Sequence, residues 1–94
     1  MITQEKLIDL LKNFKDPEIG IDIWTLGLIY KIELDHDYVK ITMTFTTPFC
    51  PYGPHMIEGL KNLIQKEGVK TVEIEVVFDP PWEPSEELRE MLGL

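Results

Sequence analysis

The chain has 94 residues with 17 acidic and 9 basic side chains, which give a formal net charge of −8. This length allows one folded domain, residues 1–94, and a hydrophobic share of 44% is typical of a globular protein and too high for a disordered one. Residues 73–94 carry seven acidic side chains and one basic one, and such a surface repels phosphate backbones, so we expect no nucleic-acid partner.

The sequence gives little sign of targeting or of disulfide chemistry. No apolar run is long enough to span a membrane, and the amino terminus lacks the basic and apolar stretches of a secretory signal. A single cysteine cannot form an internal disulfide. We therefore expect a cytoplasmic protein without a membrane partner.

The first part of the chain predicts a helix followed by an irregular connector. Thr3 can cap the helix, and apolar residues recur after it at the spacing of one buried helix face. Pro17 disfavours helical backbone at Asp16, so we expect the helix to end near Lys15 and the connector to cover residues 16–27. The apolar face consists of Leu7, Ile8, Leu11 and Phe14.

A hairpin of two strands follows, over residues 28–34 and 39–46. Apolar and polar residues alternate in both segments, and Asp35-His36-Asp37 between them has the composition of a turn. The alternation predicts one buried face for each strand. The residues of these faces are Leu28, Tyr30, Ile32 and Leu34 in the first strand, and Val39, Ile41, Met43 and Phe45 in the second.

The rest of the chain predicts a loop, a helix, a third strand and a short last helix. Three prolines and a glycine exclude regular structure over residues 47–54, and Pro54 suits the first turn of a helix that ends near Gly68. Residues 71–78 alternate as a strand, residues 79–84 break it, and residues 85–92 can form the last helix. The inward residues are Met56, Ile57, Leu60, Leu63 and Ile64 in the helix, and Val72, Ile74, Val76 and Phe78 in the strand.

The element order α-β-β-α-β-α predicts an α+β fold. A right-handed crossover between the second and third strands places the middle helix on the apolar face of a small mixed sheet. The expected architecture is a two-layer sandwich with all helices on one side. The other sheet face is rich in threonine and charge, and it is left for water, for another protein or for a homodimer.

Cys50 is the main candidate for chemistry. It lies between Pro48 and Pro51, shortly before a predicted helix amino terminus, where the helix dipole favours a thiolate. The alternative is a small buried apolar residue without a chemical role. One cysteine cannot hold an iron–sulfur cluster, and His55 would bring only a second ligand to a zinc site. A monomer therefore holds no stable metal or cluster, and ligation through Cys50 would be transient or shared with another molecule.

Several other side chains could form a pocket with Cys50. Asp16 and Glu18 could bind a cation or act as a base, or they could simply form local turns. The hydroxyls of Thr46 and Thr47 could reach Cys50 or the Asp16 loop, or these residues could merely favour a strand. We expect no catalytic residue among them.

The role of Trp82 also has two interpretations. It follows two prolines, and a large aromatic side chain in that position could anchor a binding partner. In a domain of this size it could equally cover the edge of the small core.

Three motifs, taken in order, resemble the PaaD/SufT-like family of iron–sulfur cluster assembly factors. Each motif alone is weak, but their order and spacing cover nearly the whole chain. The first motif (residues 16–30) contains Asp16-Pro17-Glu18 and Leu26-Gly27-Leu28-Ile29-Tyr30, the second motif (residues 46–51) is Thr46-Thr47-Pro48-Phe49-Cys50-Pro51, and the third motif (residues 79–82) is Asp79-Pro80-Pro81-Trp82.

The resemblance implies a small α+β domain that helps iron–sulfur proteins mature, in bacteria often beside the SUF machinery. It implies that Cys50 is the reactive cysteine, that Asp16 and Glu18 are the acidic pair, and that Thr46 and Thr47 are the loop threonines. The implied partners are the assembly machinery and apo client proteins, and the implied cargo is a transiently held cluster or iron.

The sequence departs from the family pattern at two positions. Thr25 stands where the family often has an acidic residue before Leu26, so a cation role for that loop loses a ligand. Phe49 stands where a small residue often precedes the cysteine, and its ring could shield the sulfur.

These residues leave three functions open. The leading hypothesis is a non-enzymatic accessory factor in cluster assembly or delivery, with Cys50 as a transient ligand or as a thiol that contacts the client. The alternative is a protein-interaction adaptor in which Cys50 is structural. A thiol enzyme is the third, and it is disfavoured because neither histidine is placed as a base for Cys50.

Overall fold

A computed structural model describes residues 2–17, 19–46 and 53–93. The elements in chain order are α1 (Gln4–Lys12), β1 (Ile29–Asp35), β2 (Tyr38–Met43), α2 (Gly53–Gln65), β3 (Thr71–Val76) and α3 (Glu86–Leu92). The predicted element order is therefore confirmed. None of the helices in the described ranges combines the length and the apolar character that a membrane span requires.

The three strands form one mixed sheet in the order β1-β2-β3. β1 and β2 are antiparallel, and β2 and β3 are parallel. Ile41 is the centre of the sheet, because its backbone is in register with Ile32 of β1 and with Ile74 of β3. The predicted α+β class with a small mixed sheet is confirmed.

One hydrophobic core joins the helices to one face of the sheet. The inward side chains of β2 are completely or almost completely buried, and their polar neighbours Lys40 and Thr42 are only partly buried on the other face. Because side chains alternate along a strand, the charged residues of all three strands share this second face. The core is built from Leu7 and Leu11 of α1, Val39, Ile41 and Met43 of β2, and Met56, Leu60 and Ile64 of α2.

The first helix begins where predicted and ends earlier. The Thr3 hydroxyl accepts a hydrogen bond of 3.1 Å from the backbone N–H of Lys6. The helix ends at Lys12 rather than near Lys15, because Phe14 and the residue after it pair with the connector instead. The N–H of Ile23 donates to the carbonyl oxygen of Phe14 at 2.9 Å.

Two strands also end earlier than the alternation predicts. β2 ends at Met43 and β3 at Val76, so Phe45 and Phe78 lie beyond their strands. The prediction of a buried Phe78 is wrong, since this residue is 47% exposed. The N–H of Val77 still donates to the carbonyl oxygen of Met43 at 2.8 Å, which keeps the two chain segments side by side as they leave the sheet.

Candidate functional site

The candidate site is a cleft of about 210 Å³ at the carboxyl ends of β2 and β3. Because these strands are parallel, the segments that follow them leave the sheet at the same edge. The described residues that line the cleft are Thr44, Phe45, Thr46, Phe78, Pro81 and Trp82. The cleft therefore combines the start of the second motif with the third motif.

The third motif is fastened to the first by two hydrogen bonds. The indole Nε1–H of Trp82 donates to the carbonyl oxygen of Leu26 at 2.6 Å. The hydroxyl of Tyr30 donates to the carbonyl oxygen of Pro80 at 2.8 Å. Residues 80–82 are thus held across the end of the sheet, and the three motifs meet in one region of the fold.

An aromatic pair forms part of the cleft wall. The ring centroids of Phe45 and Phe78 are 6.4 Å apart, and the ring planes are inclined by 54°. This geometry is within the range of favourable aromatic contacts. Gly53, the first residue of α2, allows the close approach of the Phe45 ring, since a Cβ atom there would lie 3.0 Å from the ring carbon Cε2.

Trp82 lines the cleft and is only half-buried. Its indole N–H already has a partner, so the rest of the side chain has no further hydrogen-bond donor to offer. The structure therefore shows that Trp82 covers the edge of the core, and it leaves the partner-anchor role as a prediction.

Asp16 is buried, with 2% of its surface exposed, and it organises the connector. Its carboxylate accepts a hydrogen bond of 3.3 Å from the N–H of Ile19. Its backbone carbonyl oxygen accepts a hydrogen bond of 2.7 Å from the N–H of Gly20, and its own N–H donates a hydrogen bond of 2.9 Å to the carbonyl oxygen of Ile21. This is the turn-forming role; Asp16 is not among the described residues that line the cleft, and its pocket role stays a prediction.

The connector leads from Asp16 to the contact with Trp82. The carboxylate of Asp22 accepts the N–H of Thr25 at 2.9 Å, and the carbonyl oxygen of Asp22 accepts the N–H of Leu26 at 3.0 Å. These bonds fix the turn that presents the Leu26 carbonyl to Trp82. The connector thus helps to hold the Leu26 carbonyl in place for the hydrogen bond from Trp82.

Of the remaining residues predicted to form the pocket, only Thr46 lies within the residues that the structure describes. Thr46 is half-buried and lines the cleft, as the pocket hypothesis requires. Cys50, Glu18 and Thr47 lie outside the described residues, so their assigned roles stay predictions, as does the shielding role of Phe49. Within the described ranges, no group of three or more His, Cys, Asp or Glu side chains could hold a metal ion.

Alternation along the strands did not indicate three residues of the site. It predicts that Tyr30, Phe45 and Phe78 lie on buried strand faces, but Tyr30 holds Pro80, and Phe45 and Phe78 form a cleft wall. Their positions in the sequence do offer a signal, since Phe45 directly precedes the second motif. Tyr30 ends the first motif and Phe78 directly precedes the third.

The chain matches the family described as "Iron-sulfur cluster assembly protein" over residues 4–76, from the start of α1 to the end of β3. The chain belongs to this family. The third motif and α3 follow the matched region. The resemblance to PaaD/SufT-like factors is thereby confirmed.

Several individual proteins are similar to this chain over most of its length. A protein of Porphyromonas gingivalis named "Fe-S protein maturation auxiliary factor" is 38% identical over 85% of this chain and 78% of its own length. The Staphylococcus aureus factor SufT is 41% identical over 71% of this chain and 78% of its own length. A conserved hypothetical protein of Thermotoga maritima has a solved structure that is 45% identical, with a TM-score of 0.85 over 99% of this chain and 96% of the other.

Proposed function

We propose that this protein is an auxiliary factor in iron–sulfur cluster assembly or in cluster delivery to client proteins, and that it acts without catalysing a reaction. The observation that carries the proposal is the meeting of the three motifs in one region: the bonds of Trp82 to Leu26 and of Tyr30 to Pro80 join the first and third motifs, and Thr46 of the second motif lines the same cleft as Trp82. The names of the related maturation factors support the same function. We further propose that residues 1–94 form one domain and that the protein works in the cytoplasm.

Cys50 is the residue through which we propose that the factor acts. It follows Thr46 by four positions and precedes Gly53 by three, and both of these residues belong to the described site region. The cluster or iron is cargo, and Cys50 ligates it transiently or contacts the client's cluster site. A single thiolate is too few for stable cluster ligation, so the other ligands come from the client, from the assembly machinery, from a free thiol or from a second copy.

The other pocket residues support the contact that Cys50 makes, and none of their own covalent bonds forms or breaks. Asp16 holds the connector, and Thr46 lines the cleft and precedes Cys50 by four positions in the sequence. Glu18 and Thr47 complete the proposed pocket. The proposed partners are the assembly machinery and apo client proteins.

Complementation tests the cysteine. A bacterial host that lacks its own factor of this family receives the wild-type chain or Cys50→Ala, and the activity of a cluster-dependent client enzyme is measured. We expect the wild type to restore activity and Cys50→Ala to fail at equal protein level. Met91→Ala is the control, because Met91 is exposed on α3 outside the cleft lining and its loss should leave complementation intact. Full activity with Cys50→Ala would remove the cysteine from the function.

An adaptor without thiol chemistry is the second candidate, and the exposed ring of Phe78 favours it. Thiol modification across pH separates the two. Modification of Cys50 in the native protein supports the cluster-contact role, whereas protection until unfolding supports the adaptor.

A further inference from the structure

The cleft that contains Phe78 has an apolar part, formed by Phe45, Phe78 and Trp82, to which the proposed thiol contact assigns no role. Its volume of about 210 Å³ is below the range of about 300–1,000 Å³ that encloses most small-molecule ligands. Space of this size suits one large side chain of a protein. The interior surface is mainly apolar, and its aromatic rings favour contact with another ring.

Four acidic residues, here called the acidic rim, directly follow lining residues of this cleft in the sequence or lie a few positions after them. Asp79 follows Phe78 directly, Glu83 follows Trp82 directly, and both are exposed. Glu86 and Glu87 then open α3 in the first turn. Across the described ranges, no lysine or arginine forms an ion pair with any of these four carboxylates. Their charge is therefore available to a partner.

We propose that the cleft binds a basic peptide segment of a partner protein, with one aromatic side chain of that segment inserted between Phe78 and Trp82. The aromatic side chain supplies the buried anchor, and flanking lysine or arginine residues meet Asp79 and Glu83. Such an aromatic anchor in a pocket with a polar rim is the usual arrangement of an energetic hot spot. This inference rests on the proposed function, for which it names the client-binding surface.

The charge also argues against a second copy as the occupant. In a two-fold dimer the same patch meets itself, so the acidic rim of one copy would face the acidic rim of the other. The net charge of −8 adds to this repulsion. A basic partner removes the repulsion and gains attraction.

An NMR titration of the intact ¹⁵N-labelled protein tests the proposal with three acetylated and amidated peptides: Arg-Arg-Phe-Arg-Arg, Arg-Arg-Ala-Arg-Arg and Glu-Glu-Phe-Glu-Glu. We expect the first peptide to shift the resonances of Thr46, Phe78 and the Trp82 indole N–H with saturation. The other two should bind at least about tenfold more weakly, because each lacks one half of the recognition. Equal binding of the first two peptides, or no binding of the first, would overturn the proposal.

Variants locate the binding to the cleft. Phe78→Ala should weaken the first peptide about tenfold, and Glu83→Lys should weaken it through repulsion, whereas Met91→Ala should bind as the wild type does. Both Phe78 and Glu83 are exposed, so these changes leave the core intact. Unchanged affinity in Phe78→Ala would overturn the proposal.

Two further outcomes separate this inference from other possibilities. Shifts of the cleft resonances with protein concentration alone would assign the surface to self-association and overturn the proposal. The peptide titration needs neither iron nor a client, and Cys50→Ala should bind the peptide normally. Failure of peptide binding therefore leaves the cysteine test standing, and failure of the cysteine test leaves peptide binding standing.

Discussion

The indole nitrogen Nε1 of Trp82 lies 2.6 Å from the carbonyl oxygen of Leu26 and donates a hydrogen bond to it, although Leu26 is 56 positions earlier in the chain. Leu26 is almost completely buried, with 1% of its surface exposed, and it lies in the turn that ends the connector. This hydrogen bond joins the last motif to the first. The same bond also sets the position of the Trp82 ring at the border of the cleft. One contact therefore contributes both to the shape of the site and to the stability of the fold.

Trp82→Phe removes this hydrogen bond and keeps an aromatic ring. We expect the free energy of unfolding to fall by about 1–3 kcal/mol, because the buried Leu26 carbonyl loses its partner. Urea denaturation measures the change. Trp24→Phe is the matched control: Trp24 is also half-buried against the core, and no hydrogen bond of its indole occurs within the described ranges, so its loss should be smaller. Equal losses in both variants would contradict the role assigned to the bond.

The two glycines of α2 should respond in opposite ways to alanine. At Gly59 a Cβ atom would meet the Phe14 ring at 3.4 Å, which is ordinary contact, and alanine favours the helix by roughly 0.5–1 kcal/mol. At Gly53 the Cβ atom would meet Phe45 at 3.0 Å, so the ring must move. We therefore expect Gly59→Ala to raise the denaturation midpoint and Gly53→Ala to lower it and to shift the Phe45 and Phe78 resonances. Stabilisation by Gly53→Ala with unmoved rings would show that the close approach does not matter.

Tyr38 on the polar sheet face should titrate unusually late. Its hydroxyl donates a hydrogen bond of 2.7 Å to Glu73, and this bond is the largest cause that raises the pKa of Tyr38 from 10.0 to about 12. Partial desolvation and the negative charges of Glu73 and Glu33 act in the same direction. Glu73→Gln should bring the pKa back towards 10, as read from the Tyr38 ring resonances, and Glu75→Gln should change it little.

The same shift gives a pH dependence of stability. A pKa that is higher in the folded state means that the contribution of Tyr38 is complete below pH 10 and is lost as the pH rises towards 12. The stability of the wild type should therefore fall more steeply than that of Tyr38→Phe between pH 10 and pH 12. Parallel curves for the two proteins in this window would contradict the hydrogen bond to Glu73.

Asp16 offers a test of whether its carboxylate is structural. Asp16→Ala removes the acceptor of the Ile19 N–H from a buried loop, and we expect a loss of about 1–3 kcal/mol in the free energy of unfolding. Asp16→Asn keeps one acceptor oxygen and should lose less. If Asp16→Asn is stable and fails in the complementation assay, the charge of the carboxylate serves the function and not only the turn.

Sequence patterns could predict the elements but not the contacts at the end of the sheet. Alternation located β2 and β3, since the buried side chains of Val39 and Val72 follow a period of two. The same pattern continued to Phe45 and Phe78 and made them look buried, although the strands had already ended. Alternation indicates the sheet face on which a strand residue lies, but it does not indicate where the strand ends. The end of a strand depends on hydrogen bonds with segments that are distant in the sequence.

The site could be predicted in its residue types and not in its assembly. The motifs drew attention to Thr46 and Trp82, which do share a cleft. No local rule links Trp82 to Leu26 or Tyr30 to Pro80, because each pair is at least 50 residues apart. Such contacts depend on the crossover through α2, which brings the ends of β2 and β3 together.

We propose that the factor acts on a client's cluster through Cys50, and an anaerobic reconstitution assay tests this role. Purified apo-aconitase is incubated with iron, sulfide and a thiol reductant, with wild-type protein, with Cys50→Ser or with neither, and the recovery of aconitase activity is followed over time. We predict faster recovery with the wild type than without it, and no acceleration with Cys50→Ser. Equal acceleration by the wild type and by Cys50→Ser would contradict the role proposed for Cys50.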